Sequence, residues 1–242
     1  MTAPRTLEAC AANARSLSSW LDCLLPPRCG SCRALGAWLC ASCRGRIRYL
    51  REPLCPRCGR ELEFAGAGCG CRARLRRLAG TNAAAAYEGP LERAIHRFKY
   101  EGWRALAPAL VDLTAGLLAT EAASDLLVLP VPLHPRRLRA RGYNQSELLA
   151  SALRSRLRLA APPGHLVRLR DTPPQVGLDR LRRQANVAGA FGWQGPPLAG
   201  RRFVVVDDVA TTGATLEACA AALAAGGAGL VRALTVARVT VP

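Results

Sequence analysis

The sequence predicts an α/β fold, a mainly parallel sheet sandwiched between helices in three layers, with a small cysteine-built module ahead of it. Three observations predict this. From residue 81 onward, apolar runs of strand length alternate with helix-length segments, the pattern of strand–helix–strand units. One of these runs, FVVV at 203–206, is apolar without interruption, as a strand covered on both faces requires. Ten of the eleven cysteines fall within the first 71 residues.

The 242 residues allow one domain of ordinary size and a small one, and 50% of them are apolar, enough for a core. Residues 1–25 carry Leu7, Ala11, Ala14, Leu17, Leu21 and Leu24 at helical spacing, while Asn13, Arg15 and Asp22 interrupt any signal-peptide core. They read as a packing helix of a cytoplasmic chain. No run approaches the roughly 18 apolar residues of a membrane span, so no membrane insertion is expected.

Residues 26–78 hold eight cysteines in four pairs: Cys29 and Cys32, Cys40 and Cys43, Cys55 and Cys58, Cys69 and Cys71. Two thiolates of one tight turn reach a single tetrahedral zinc, and the intervals of seven and ten residues suit ribbon hairpins. Two sequential four-cysteine sites are the simplest pairing. Such zinc is structural, because four thiolates close the coordination sphere. The module is too small for a good core of its own, so metal would supply much of its folding energy. The last knuckle, Cys-Gly-Cys, is one residue shorter than the others, which makes the first zinc the firmer of one or two. A disulfide framework is the competing reading; no secretory signal supports it. Arg44, Arg46, Arg48 and Arg51 between the knuckles, and Arg72, Arg74, Arg76 and Arg77 after them, suit either phosphate contacts or solvated counter-charges.

In residues 79–242 strands are expected over 81–87, 125–131, 165–169, 202–206 and 231–239. Helices are expected over 90–100, 103–120, 143–159 and 178–187, and behind the loop that comes after residue 206. That loop carries the chemistry. The strand runs into Asp207 and Asp208, then into Thr211, Thr212, Gly213, Ala214 and Thr215 at a helix start. Unpaired backbone N–H groups and the helix dipole favour a phosphate there. The acids repel a phosphate and suit sugar hydroxyls or a metal on a diphosphate. A capped helix with no ligand is the alternative, and a costly one for paired buried acids. The loop lacks the G-K-[ST] of a Walker sequence, and one glycine is no dinucleotide fingerprint.

The formal charge is +17, and 33 of the 34 basic residues are arginine. Residues 134–183 hold 12 arginines against Glu147, Asp171 and Asp179, a net of +9, while residues 81–242 as a whole carry +8. A field concentrated beside a phosphate loop favours a polyanion, either a sugar diphosphate or a nucleic-acid strand. Lys99, the single lysine, supplies a compact flexible ammonium. Arg136, Arg137, Arg139 and Arg141, with Gly142, Asn144 and Gln145, read as a basic loop able to close over a diphosphate, or as a solvated turn in which Asn144 caps the next helix. Gln175 and the arginines at 180, 182 and 183 read as a basic flap or a solvated helix face.

The sequence FVVVDDVATTGAT resembles the phosphoribosyl-pyrophosphate (PRPP) loop of type I phosphoribosyltransferases. Together with the cysteine pairs, AIHRFKYEG, VPLHPRRLRARGYNQSELLA and TPPQVGLDRLRRQANVAGAF, in that order, the chain resembles the ComF family of competence-associated proteins. The resemblance implies a double zinc ribbon joined to a phosphoribosyltransferase-like domain. It also implies PRPP with Mg2+ as ligand, Asp207 and Asp208 on the ribose hydroxyls, residues 211–215 on the 5'-phosphate, and residues 141–145 as a mobile loop. Lys99 and Arg141 would stabilise the departing pyrophosphate. Two functions stand as expectations: a phosphoribosyltransferase of unknown acceptor, or a non-catalytic adaptor that binds single-stranded DNA for the competence machinery. The 12 Trp, Tyr and Phe residues are few for an extensive base-stacking platform.

Overall fold

The computed structural model describes residues 26–118, 126–172 and 185–240. The helix expected over 1–25, with Cys10 and Cys23, and the expected flap at Gln175, Arg180, Arg182 and Arg183 lie outside the described residues. The strands are β1 (Gly80–Ala86), β2 (Leu126–Pro130), β3 (His165–Arg168), β4 (Phe191–Gln194), β5 (Arg202–Ala210) and β6 (Leu230–Arg238). The helices that position the site are α1 (Ala41–Gly45), α2 (Gly89–Tyr100), α3 (Ala107–Val111), α4 (Pro135–Arg141), α5 (Gln145–Leu157) and α6 (Ala214–Ala225).

Four strands form a parallel sheet in the order β1-β6-β5-β2. The central pair is covered on both faces, which is why β5 and β6 read as nearly unbroken apolar runs. Val204 and Val206 pack with Leu91, Ile95 and Phe98 of α2 and with Leu149 and Leu153 of α5. Phe203 and Val205, on the opposite face by strand alternation, pack with Leu216, Cys219 and Leu223 of α6. The three layers expected from the sequence are present. β3 and β4 form a separate antiparallel pair whose Leu166 and Phe191 join the α6 face.

Four segments differ from expectation. The helix expected over 103–120 is broken within its described residues 103–118: a 3-10 turn (Arg104–Leu106), α3 and a second 3-10 turn (Ala115–Leu118) succeed one another. Pro108 fits only the first turn of a new helix, and Gly116 disfavours a longer helix beyond α3. The basic stretch expected as a loop is the helix α4. His134 caps it, its Nδ1 accepting from Arg136 N–H at 3.3 Å, Pro135 begins it, and Gly142 at φ 79° ends it. β4 has no counterpart among the expected strands, and β5 runs on through both acids to Ala210.

The cysteine module docks on the sheet domain at three places. Residues 48–50 pair antiparallel with the free edge of β1: Leu50 N–H donates to Ala84 O at 3.2 Å and Ala86 N–H to Arg48 O at 2.9 Å. Residues 84–86 of that edge are thereby covered. Arg97 of α2 donates to the carbonyls of Gly30 (2.5 Å) and Ser31 (2.7 Å) in the first knuckle. The backbone N–H groups of Arg76, Arg77 and Leu78 donate to the Glu217 carboxylate of α6 at 2.8, 2.7 and 3.1 Å. Among the described residues no helix is long and apolar enough to cross a membrane.

Candidate functional site

The eight paired cysteines gather into two clusters, Cys29, Cys32, Cys40, Cys43 and Cys55, Cys58, Cys69, Cys71, each with its four sulfurs within 4.8 Å of one another. The separations Cys32–Cys40 (3.7 Å), Cys55–Cys71 (3.6 Å) and Cys58–Cys69 (3.3 Å) approach the roughly 3.8 Å between thiolates of a tetrahedral zinc. None of the eight is in a disulfide. The short Cys69–Cys71 knuckle therefore completes its site as the others do. Burial pushes the Cys29 thiol up, but N–H donors at Cys40, Cys32 and Ser31 outweigh it and hold the thiol at about 6. Backbone donors at Cys58 and Arg57 likewise overcome burial at Cys55, which stands at about 7. Both clusters fit structural zinc, with every ligand position taken by sulfur.

At the carboxyl end of β5 the sheet delivers Asp207 and Asp208, where ligands of open parallel sheets sit. Asp208 is 2% exposed, and Lys99, from the last turn of α2, approaches its Oδ1 at 2.9 Å. Its Oδ2 is buried with no hydrogen-bond partner. Such an oxygen lacks the partner that a sugar hydroxyl or a hydrated cation supplies. Asp207 Oδ1 accepts from Ser146 Oγ at 2.8 Å and from Asp208 N–H at 2.9 Å. Burial, then the like charge of Asp208, raises the Asp207 carboxyl to about 7 against the pull of Lys99 and Ser146. Burial works against the Lys99 charge, yet Asp208 and Asp207 outweigh it and hold the ammonium above its ordinary value.

Thr211, Thr212 and Gly213 link β5 to α6, which begins at Ala214 and Thr215. Gly213 sits at φ 81°, where a side chain is strained, and Leu75 of the cysteine module lies 3.3 Å from where a Cβ would stand. Across the site, the Arg141 guanidinium lies over the Tyr100 ring at 5.1 Å and donates to Gln145 Oε1 at 2.5 Å. Asn144 caps α5, accepting from Ser146 N–H at 3.1 Å and donating to Val131 O at 3.0 Å. Asn144 and Gln145 thus shape the turn after Gly142 with their own side chains. The structure brings Lys99, Asp207 and Asp208 together, with the 211–215 loop next along the chain.

The double zinc ribbon domain family matches residues 20–75. The DNA utilization protein YhgH of Salmonella typhimurium is 33% identical over 218 residues, 86% of this chain and 95% of that protein. Competence protein F of Haemophilus influenzae is 31% identical over 194 residues, 74% of this chain and 81% of that one. The chain belongs to the ComF family. As a ComF-family chain it is also distantly similar to a solved orotate phosphoribosyltransferase from Aeropyrum pernix, with a TM-score of 0.33 and 20% identity over 62% of this chain and 78% of that one. That likeness is too slight to carry an argument.

Two residues of this ComF-family site escape sequence reasoning. Ser146 reads as the second residue of a capped helix, and only the fold aims its hydroxyl at Asp207. Glu217 reads as a first-turn acid that complements the α6 dipole, whereas it ties down the segment after the last cysteine. Arg238 carries a visible signal, a lone cation in an otherwise apolar strand end, and it is 7% exposed beside Cys58 and Cys69.

Proposed function

We propose that this chain binds PRPP with Mg2+ and serves the handling of DNA during competence. The observation that carries the reading is the Asp207–Asp208 pair at the end of β5, Asp207 half-buried and Asp208 buried with one oxygen unsatisfied, directly ahead of a threonine-glycine loop that leads into α6. The ribose 2- and 3-hydroxyls donate to the acids, and N–H groups and hydroxyls of 211–215 receive the 5'-phosphate. Mg2+, when bound, neutralises charge on the diphosphate. As the ribose hydroxyls take over Asp208, Lys99 is released toward the pyrophosphate, and Arg141 joins it once its bond to Gln145 opens. In a transfer reaction the bond from C1 to pyrophosphate breaks, the leaving charge rests on these two cations, and an acceptor nitrogen bonds to C1 and gives up its proton to water. The names of the relatives support the tie to DNA. Pyrophosphate release, screened across nucleobases and amines, tests for transfer.

Asp207→Asn combined with Asp208→Asn is expected to weaken PRPP binding in calorimetry by roughly a hundredfold or more, the loss of two charge-assisted hydrogen bonds. Unchanged affinity sinks the sugar-phosphate reading.

The raised Asp207 carboxyl sets a pH dependence. Ribose hydroxyls donate best to an ionised oxygen, so PRPP affinity should climb as pH rises through about 7, and Asp207→Asn should remove that component. Asp208, Lys99, Arg168 and Cys219 are the charged and titratable groups coupled to it. For folding the sign is opposite. The folded carboxyl holds its proton more tightly than the unfolded one, so the stability it contributes is present at low pH and lost as pH rises through about 7. Calorimetry between pH 6 and 8 in buffers of matched ionic strength, about 0.15 M, checks the first sign.

A second reading, a DNA-binding adaptor, is favoured by one observation: Arg72, Arg76 and Arg77 lie exposed on the tail of the second ribbon. Single-strand affinity that stays constant as salt rises is the result that rejects it.

A further inference from the structure

Between the second cysteine cluster and the start of α6 lies a cleft of about 90 Å3, lined by Arg60, Glu61, Arg74, Arg238, Thr211 and Thr212 together with cysteines of that cluster. Its charge is not balanced by carboxylates. Glu61 is already engaged by Arg48, at 2.9 and 3.0 Å, and by the N–H of Arg51. Among the described residues, Arg60, Arg74 and Arg238 form no ion pair with a carboxylate. Arg238 is more than nine-tenths buried at this wall, a costly position for a cation unless an anion faces it. A zinc held by four thiolates carries a net charge of about −2, against which Arg60, Arg74 and Arg238 together set +3 on the adjacent wall. The cleft therefore keeps a net positive charge with the zinc in place, on the side that Thr211 and Thr212 also line.

We propose that this cleft is a composite phosphate site, in which Arg74 and Arg60 of the second ribbon and Arg238 of β6 share with Thr211 and Thr212 the phosphate of a phosphorylated sugar. The inference rests on the sugar-phosphate reading above and extends it: the zinc module is a wall of the ligand site rather than a separate domain. Guanidinium forks match phosphate oxygens in pairs, and the α6 N-terminus adds its N–H groups from the other side. Order in the second ribbon fixes where Arg74 stands, because Arg74 N–H and Leu75 N–H are both held by Cys71 O. Zinc and phosphate binding are therefore linked, and linkage is reciprocal.

The test uses the full zinc-loaded chain with ribose 5-phosphate and, separately, PRPP. Arg74→Gln is expected to weaken ribose 5-phosphate about tenfold, the loss of one charge-assisted contact. Arg74→Lys should retain part of the affinity, and Arg72→Ala, an exposed neighbour with the same charge change, should retain nearly all of it. Saturating ribose 5-phosphate should slow zinc release to a chelator from the wild-type chain and not from Arg74→Gln. Thermal melts of the zinc-loaded variants confirm that each is folded. If the wild type binds ribose 5-phosphate and Arg74→Gln and Arg60→Gln bind it as tightly, the composite site is wrong while the sugar-phosphate reading stands. Equal losses in Arg72→Ala and Arg74→Gln also reject it, in favour of a diffuse basic field. No binding of either ligand by the wild type overturns both.

Discussion

Lys99→Met is expected to destabilise the fold by about 3–5 kcal/mol, because it strands a buried carboxylate. Lys99 is the ion-pair partner of Asp208, whose side chain is 3% exposed, and whose second oxygen already lacks a hydrogen bond. Removing the ammonium leaves two adjacent acids whose remaining hydrogen bonds, from the Ser146 hydroxyl and the Asp208 N–H, both go to Asp207 Oδ1. The loss should appear as a lowered midpoint in denaturant melts of the zinc-loaded chain. Lys99→Met with Asp208→Asn is expected to recover most of it, since the uncompensated charge has gone. A single variant as stable as the wild type would mean that water reaches Asp208, and the buried acid pair would then be an ordinary surface one.

Stripping zinc is expected to have the larger effect. Metal analysis of the reduced protein should give two zinc per chain, one for each cluster. Structural zinc in small fingers is worth roughly 10–16 kcal/mol of apparent binding, and the buried apolar residues of this module, such as Leu39, Ile47, Leu75 and Leu78, join the two cores of the sheet domain from a segment that the knuckles shape. Chelation should therefore unfold residues 26–78 and uncover the edge of β1, seen as loss of near-ultraviolet dichroism and then light scattering as bare edges pair. A chelated chain that keeps its melting curve would contradict this coupling of module and sheet.

The parts of the fold legible in the sequence are those governed by local pattern. β5 and β6 announce themselves through unbroken apolar runs, and the four knuckles through their spacing. The acid pair and its loop are legible for the same reason, since strand, acids and helix start are contiguous. The partners of those acids are not, because Ser146 and Asp207 are 61 residues apart and meet only through the β2–β5 pairing. The basic stretch at 135–141 reads as a loop because its arginines hide an ordinary helix with a proline start and a glycine stop. The docking of the ribbon is illegible too: Glu217 and the N–H groups of 76–78 are joined by hydrogen bonds that no side-chain pattern encodes.

The pairing of residues 48–50 with β1 bears on how the chain emerges during synthesis. Among the described residues of the sheet β1 hydrogen-bonds only to β6, which is made after β2 and β5. Until Leu230 and the residues after it have left the ribosome, the native backbone partner seen for β1 among the described residues is the ribbon segment that precedes it. The ribbon segment can thus pair with one side of β1 before the strand that pairs with the other side has been made.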